Sequence, residues 1–90
     1  MDTVYKALSD PNRRKILEIL KEKDMSVSEI LVHFQISMAS LSHHLDILKR
    51  ARLVVSQKKG QFVYYSLNLS VMEEVMKSII GIFDPKKGVK

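Results

Sequence analysis

The sequence contains no cysteine. Disulfide bonds, thiolate nucleophiles and thiolate metal ligands are therefore excluded. It also has no apolar run long enough to span a bilayer, and its first residues, Met1-Asp2-Thr3, carry an acid where a secretory signal has a basic stretch. We therefore expect a cytoplasmic protein without a signal segment or a transmembrane helix.

Acidic residues are scarce in the middle of the chain. The net charge is +5 overall, yet residues 1–32 carry six bases against six acids. Residues 33–67 carry five bases against Asp46 alone and also hold all three histidines. Positive charge that is concentrated in one segment indicates an anionic partner more strongly than the net charge does.

The length of the chain sets a further limit. Ninety residues fit one domain with a modest hydrophobic core, so a partner subunit is a natural source of extra burial. We predict one domain over residues 1–84 and a disordered tail over residues 85–90.

Two helices are predicted in the first part of the chain. The first covers about Asp2–Leu8 and is amphipathic. The second starts at Asp10-Pro11, a capping aspartate followed by proline at the first helical position, and runs to about Glu22. Its apolar face is expected to leave Arg13 pointing away from the core.

The next two helices are predicted to form a helix-turn-helix. Ser26 and Glu29 have the spacing of a capping box, which begins a short third helix. A tight connection over residues 35–37 follows, with Ser37 as the N-cap of a fourth helix that ends near Ala51. The buried stripe of this fourth helix consists of Leu41, Leu45 and Leu48.

The pattern then changes to β-structure. The runs 53–55 and 62–65 are rich in strand-forming residues and flank a polar tip at residues 57–60, which predicts a hairpin with a basic turn. A last helix over about Ser70–Phe83 carries a broad apolar stripe. The predicted fold is mainly α with a β-hairpin wing, a winged helix-turn-helix with the element order α-α-α-α-β-β-α.

Candidate DNA contacts lie on the fourth helix and at the hairpin tip. In a helix-turn-helix the second helix enters the major groove. Opposite its leucines the fourth helix carries small and polar residues, of which His43 and Arg50 can donate hydrogen bonds to guanine. His44 lies nearer the core boundary, where packing or a phosphate contact is expected. The predicted DNA-binding residues are Ser37, Met38, Ala39, Ser40, Ser42, His43, His44, Arg50, Lys58, Lys59 and Gln61.

The apolar stripe of the last helix predicts dimerisation. Its seven large apolar side chains exceed what one side of a small domain usually hides. The apolar face of the first helix is expected to join it. The predicted dimer interface consists of Val4, Tyr5, Leu8, Met72, Val75, Met76, Ile79, Ile80 and Phe83.

Three segments carry a resemblance to known proteins: residues 7–17 (ALSDPNRRKIL), 40–54 (SLSHHLDILKRARLV) and 59–67 (KGQFVYYSL). Over nearly its whole length the chain resembles the ArsR family of bacterial winged-helix repressors, and most of all its SdpR-type autorepressor branch. The resemblance implies a homodimer formed by the first and last helices, and operator binding through the helix at about Met38–Ala51. It also implies repression of nearby genes, often including the repressor's own gene.

The sequence differs from the metal-sensing members of this family at the positions of their metal ligands. Thiolate sensors of the family place a Cys-x-Cys pair where Ser26 and Ser28 stand, and other members bind zinc with aspartate and histidine on the last helix, which is without either here. Adjacent histidines such as His43 and His44 diverge by about 100° on a helix and do not readily chelate one ion. We predict no metal site and no cofactor.

Two other classes of function, a protein-interaction module and an enzyme, are alternatives to DNA binding. A winged helix can serve as a protein-interaction module, and an exposed lysine turn is often only a solvated loop. Salt-sensitive binding of duplex DNA would separate that function from repression. An enzyme is not expected, because the sequence has no nucleophile motif, no phosphate-binding glycine loop and no carboxylate pair near a histidine in a plausible pocket.

Overall fold

The computed structural model describes residues 1–83 of the chain. Five helices and three strands follow one another in this range. The helices are α1 (Asp2–Leu8), α2 (Pro11–Leu20), α3 (Val27–Leu31), α4 (Met38–Arg50) and α5 (Leu69–Phe83), and the strands are β1 (Met25–Ser26), β2 (Val54–Lys59) and β3 (Phe62–Leu67). The winged helix-turn-helix is confirmed. The tail predicted over residues 85–90 lies outside the described residues.

The structure adds one strand to the predicted order. β1 has two residues and pairs antiparallel with β3, Met25 opposite Tyr65 and Ser26 opposite Tyr64. The sheet therefore has three strands in the order β1-β3-β2. This strand joins the start of the helix-turn-helix to the hairpin and so fixes the orientation of the one relative to the other.

Side chains cap the three consecutive helices α2, α3 and α4 as predicted. The Asp10 carboxylate accepts hydrogen bonds from the amides of Asn12 and Arg13 at 2.8 and 3.2 Å, which begins α2. Ser26 and Glu29 exchange the two hydrogen bonds of a capping box at α3. Ser37 accepts from the amide of Ser40 at 3.0 Å and begins α4. Each bond satisfies a backbone donor that a helix N-terminus otherwise leaves free.

The core lies where the helices meet the sheet. Three leucines of α4 fill its centre, as the sequence predicts, and Ile16 and Leu17 of α2 pack in the same cluster. The largest fully buried side chains are Ile16, Ile30, Leu41, Leu45, Leu48, Leu53 and Val54. Burial of these side chains fixes which side of α4 faces solvent, because residues three and four apart share a helix face.

α4 ends at a residue in an unusual backbone conformation. Arg52 has a φ of 64°, in the left-handed region that favours glycine. The amide of Leu53 donates to the carbonyl of Leu48 at 3.0 Å, and the amide of Arg52 donates to that of Lys49 at 3.0 Å. These two bonds form a Schellman motif, which turns the chain sharply from α4 into β2.

The hairpin turn is tighter than the sequence predicts. β2 continues through Lys58 and Lys59, which lie opposite Val63 and Phe62 of β3. Only Gly60 and Gln61 connect the strands, and Gly60 has a φ of 63°. Glycine at the first position of a two-residue loop is typical of a type II′ turn, whose twist suits a hairpin. The two lysines are therefore strand residues rather than part of a four-residue tip.

Candidate nucleic-acid interface

α4 presents a solvent-exposed face opposite its buried leucines. Most of the predicted DNA contacts on this helix lie there, and only Ser40 is half-buried among them. Ser37 is exposed at the start of the helix, where its hydroxyl already caps the Ser40 amide. The exposed predicted contacts within α4 are Met38, Ala39, Ser42, His43 and Arg50.

Arg50 and Asp46 form an ion pair on this face. The Nη2 atom of Arg50 lies 3.1 Å from Oδ2 of Asp46, one helical turn earlier, and both side chains are more than half exposed. An exposed pair of this kind is worth about 0–1 kcal/mol, so it does not lock the guanidinium away from a ligand. The pair instead orients Arg50 and leaves several of its N–H donors free for base edges.

The hairpin carries two lysines on opposite faces. Neighbouring residues of a strand alternate between the faces of a sheet, so Lys58 and Lys59 project in opposite directions. The ammonium nitrogen of Lys59 lies 5.6 Å from the centre of the Tyr64 ring, within the range of a cation–π contact. Gln61 is exposed in the turn between the strands. A duplex against this hairpin would meet a positive charge from either side.

Two further cations border the same region. Lys49 is exposed in the last turn of α4, and Arg52 is exposed at its end. Neither is among the predicted contacts, although the concentration of positive charge in residues 33–67 includes both. That concentration is the sequence signal that would have pointed to them.

His44 differs from the other predicted contacts because it is buried. Only 9% of the residue is exposed, and its Nδ1 atom lies 3.2 Å from Nη1 of Arg13. This placement agrees with the packing role that the sequence analysis names for it. The expectation that Arg13 points away from the core is wrong, since Arg13 is also 9% exposed and its guanidinium turns inward to carbonyl oxygens of α1.

α5 has two apolar faces rather than one. Val75 is buried in the single chain, and Val71 and Met72 pack partly against the core. About 100° around the helix, a second stripe is open to solvent. We call it the α5 stripe, and its members are Leu69, Met76, Ile80 and Phe83, each at least 60% exposed.

The remaining predicted interface residues differ in how far they are buried in the single chain. Val4 is buried in the core of the single chain, while Tyr5 and Leu8 are half-buried at its margin and Ile79 is exposed beside the α5 stripe. Tyr5 also reaches α5 directly through its hydroxyl, 3.1 Å from that of Ser78. This contact joins α1 to α5.

Metal-binding groups do not cluster within the described part of the chain. No three histidine, aspartate or glutamate side chains in residues 1–83 are placed to hold one ion. The adjacent rings of His43 and His44 are 6.1 Å apart and tilted by 53°. None of the helices in this range is both long and apolar enough to cross a membrane.

Comparison with known sequences places this geometry in a family. A model of the bacterial regulatory proteins of the arsR family matches residues 10–56, from the cap of α2 through the helix-turn-helix into β2. The chain belongs to the ArsR family. The match covers more than half of the chain and includes the whole of α4, whereas the hairpin residues Lys58, Lys59 and Gln61 lie beyond it.

Individual ArsR relatives extend the similarity along the chain. The transcriptional repressor SdpR of Bacillus subtilis is 54% identical over 84 residues, which cover 93% of each protein. The arsenical resistance operon repressor of Staphylococcus aureus is 33% identical over 79 residues, covering 88% of this chain and 76% of that protein. The resemblance seen in the sequence is therefore confirmed, and regulation of transcription is the activity of the family.

Solved structures agree with the ArsR assignment. A crystal structure described as a possible transcriptional regulator for arsenical resistance superposes with a TM-score of 0.83 at 25% identity, covering 98% of this chain and 91% of that one. An ArsR-like transcriptional regulator from Rhodococcus sp. RHA1 gives a TM-score of 0.83 at 28% identity, with 90% and 74% covered. These relatives are regulators, which confirms the expectation that the chain is not an enzyme.

Proposed function

We propose that the chain is a cytoplasmic transcriptional repressor that binds operator DNA as a homodimer. The carrying observation is the exposed face of α4, which lies opposite the buried leucines and is flanked by the basic β2–β3 hairpin. In this proposal α4 enters the major groove and the hairpin lies along the adjacent backbone. The protein blocks transcription of nearby genes, its own gene among them.

The residues divide into two roles on DNA. His43 and Arg50 read base edges, because both are exposed donors on the face of α4 that a groove would receive. Ser37, Ser40, Ser42 and the hairpin residues Lys58, Lys59 and Gln61 contact phosphates and set the register. Met38 and Ala39 offer short apolar contacts at the start of the helix. His44 supports this surface from beneath.

Homodimerisation supplies the second half of the site. The α5 stripe exposes four large apolar side chains in a single line, and Ile79 widens it. A surface of this kind on a small protein marks an interaction site. A second copy of α5, together with Tyr5 and Leu8 of α1, is the proposed occupant. Two-fold symmetry would then present two copies of α4 to successive turns of one face of the duplex.

The test is a comparison of two DNA duplexes of equal length. One is taken from the region upstream of the chain's own gene and the other is the same sequence shuffled, and the affinity for each is measured by fluorescence anisotropy at several salt concentrations. The proposal expects about 10³-fold tighter binding to the upstream duplex and affinity that falls steeply with salt. No binding to either duplex at any salt would favour the protein-interaction module instead.

A further inference from the structure

Three helices meet at the buried guanidinium of Arg13. Its Nε atom donates to the carbonyl oxygen of Ala7 at 2.7 Å, and Nη2 donates to that of Lys6 at 3.2 Å. Both acceptors belong to the last turn of α1, while Arg13 itself lies in the first turn of α2. The third nitrogen, Nη1, lies 3.2 Å from Nδ1 of His44 in α4. One side chain therefore joins the recognition helix to a helix of the proposed dimer surface.

The chemistry of this contact fixes the state of the histidine. A guanidinium has N–H donors and no acceptor, so Nδ1 of His44 must be the acceptor. A histidine nitrogen accepts only when it carries no proton. The ring is therefore neutral, with its proton on Nε2. Both residues are only 9% exposed, so water does not readily replace a lost bond between them.

A second partner for the same nitrogen stands nearby. Oδ1 of Asp10, the oxygen that caps α2, lies 4.0 Å from Nδ1 of His44. A proton on Nδ1 would abolish acceptance from Arg13, bring two positive charges together and leave the Asp10 carboxylate as the available acceptor. Protonation would therefore replace the contact of His44 with Arg13 by a contact with Asp10. The connection from α4 to α1 through Arg13 would be lost, and the Asp10 oxygen that caps α2 would be shared with His44.

The carboxylate is available for this exchange at mildly acidic pH. Burial alone would raise the pKa of Asp10. Hydrogen bonds from the amides of Arg13 and Asn12 act against it, as does the positive charge of Arg13, and the pKa lies below its ordinary value. Asp10 therefore stays ionised at mildly acidic pH, and its carboxylate can accept a hydrogen bond from a protonated imidazole.

Other titratable groups around α4 act differently. His43 is the neighbouring ring, 6.1 Å away, and it is exposed on the DNA face. Its protonation would add positive charge toward the phosphates and tighten binding. Glu29 of α3 is held in its capping box, and Lys58 and Lys59 lie in the hairpin. A loss of affinity on acidification would therefore come from His44 and not from these groups.

We propose that Arg13 is a positioning residue for α4, acting through neutral His44. When His44 is protonated, its ring pairs with Asp10 instead of Arg13, and DNA binding weakens. The inference rests on the proposed function, because it concerns regulation of the same DNA surface. It makes operator occupancy sensitive to acid without any bound ligand.

The test measures operator affinity at about pH 7.5 and about pH 5.5 for three proteins. His44→Asn keeps an oxygen near the position of Nδ1 that can accept from Arg13 but does not titrate. His33→Asn is the matched control, since His33 is exposed and outside the proposed DNA contacts. The wild type and His33→Asn are expected to lose about tenfold in affinity on acidification, while His44→Asn keeps its affinity.

Each other outcome contradicts a defined claim. Equal loss in His44→Asn and the wild type, or no loss in the wild type, overturns the acid switch while leaving the proposed function intact. Absence of specific binding by the wild type at about pH 7.5 contradicts the proposed function itself. A long-range ¹H–¹⁵N spectrum of the free wild-type protein tests the inference independently of DNA and of variant folding. It should show His44 with its proton on Nε2, and a proton on Nδ1 at neutral pH would refute the proposal.

Discussion

The hydroxyl oxygens of Tyr5 and Ser78 lie 3.1 Å apart and join α1 to α5 across 73 positions of the sequence. α5 begins directly after β3, and this contact near its far end holds it against α1. The side chains of the α5 stripe are open to solvent within residues 1–83, whereas Tyr5 and Leu8 of α1 pack partly against the core. The α5 stripe is where the proposed dimer would form.

A charge in the α5 stripe should separate the subunits. Met76 is 60% exposed in the single chain, so Met76→Glu should leave the fold of each subunit intact. An unpaired carboxylate in a buried apolar contact is costly, and we expect the dimer to weaken by at least about 2 kcal/mol, or about 30-fold in Kd. Sedimentation equilibrium measures the dimer, and circular dichroism checks the fold.

The matched control for this change is Lys77→Glu. Lys77 is the next residue along, and it pairs with Glu73 on the polar side of α5 with three-quarters of its side chain exposed. It should leave the dimer unchanged. A Met76→Glu protein that remains fully dimeric would remove the α5 stripe from the interface.

Base contacts and phosphate contacts should respond differently to mutation. His43→Ala or Arg50→Ala should weaken operator binding by about 1–3 kcal/mol and relax the preference at particular base pairs. Lys58→Ala should weaken all duplexes alike. It should also reduce the slope of log K against log salt by about 2 for the dimer, one phosphate contact per subunit.

Anisotropy titrations on a set of single-base operator variants distinguish the two classes. Asp46→Ala serves as a control for Arg50, because it removes the ion pair and leaves the guanidinium in place. It should retain the base preference that Arg50→Ala loses. The roles would have to be reversed if Lys58→Ala changed base preference while the α4 variants did not.

The end of α4 can be stabilised by one substitution. Arg52 adopts a φ of 64°, which costs a residue with a Cβ about 1 kcal/mol and costs glycine almost nothing. Arg52→Gly should therefore raise the free energy of unfolding by about 1 kcal/mol in urea denaturation. Arg52→Ala removes the same charge but keeps the strain, so it should give no such gain. Equal effects of the two variants would show that charge, and not backbone conformation, governs this position.

Operator affinity should not depend on metal. The chain has no cysteine, and α5 offers only Glu73 and Glu74 as acids. His33 with His43 or His44 would supply two imidazoles, fewer ligands than zinc requires. Affinity measured with a chelator should equal affinity measured in micromolar zinc. A saturable change of about tenfold or more, or about 1.4 kcal/mol of coupling, would refute this and direct attention to His33 first.

Much of the fold follows from local signals in the sequence. The caps at Asp10, Ser26 and Ser37 set the starts of α2, α3 and α4 as predicted, because each depends on residues within three positions of the cap. β1 was not predicted, since its two residues carry no pattern and pair with a strand almost forty positions away. The tight turn at Gly60 also depends on strand register rather than on local composition.

The candidate site shows a similar division. Exposure of His43 and Arg50 follows from the leucine spacing of α4. The prediction that Arg13 points to solvent relies on its charge and not on its position in the helix, and it is wrong. Residues 13, 16, 17 and 20 have the spacing of one helix face, and so do 41, 44, 45 and 48. Spacing alone would have placed Arg13 and His44 inward. Their contact with each other depends on how α2 packs against α4, which no local pattern records.

The most direct test of the proposed repressor is a hydroxyl-radical footprint of the wild-type protein on the DNA upstream of its own gene. The account predicts protection of two half-sites related by two-fold symmetry, with centres about 10 base pairs or a multiple of that apart. Met76→Glu should lose this protection at concentrations where the wild type saturates the site. Absence of protection at every concentration, or a single half-site occupied equally well by wild type and Met76→Glu, would contradict dimeric binding to its own operator.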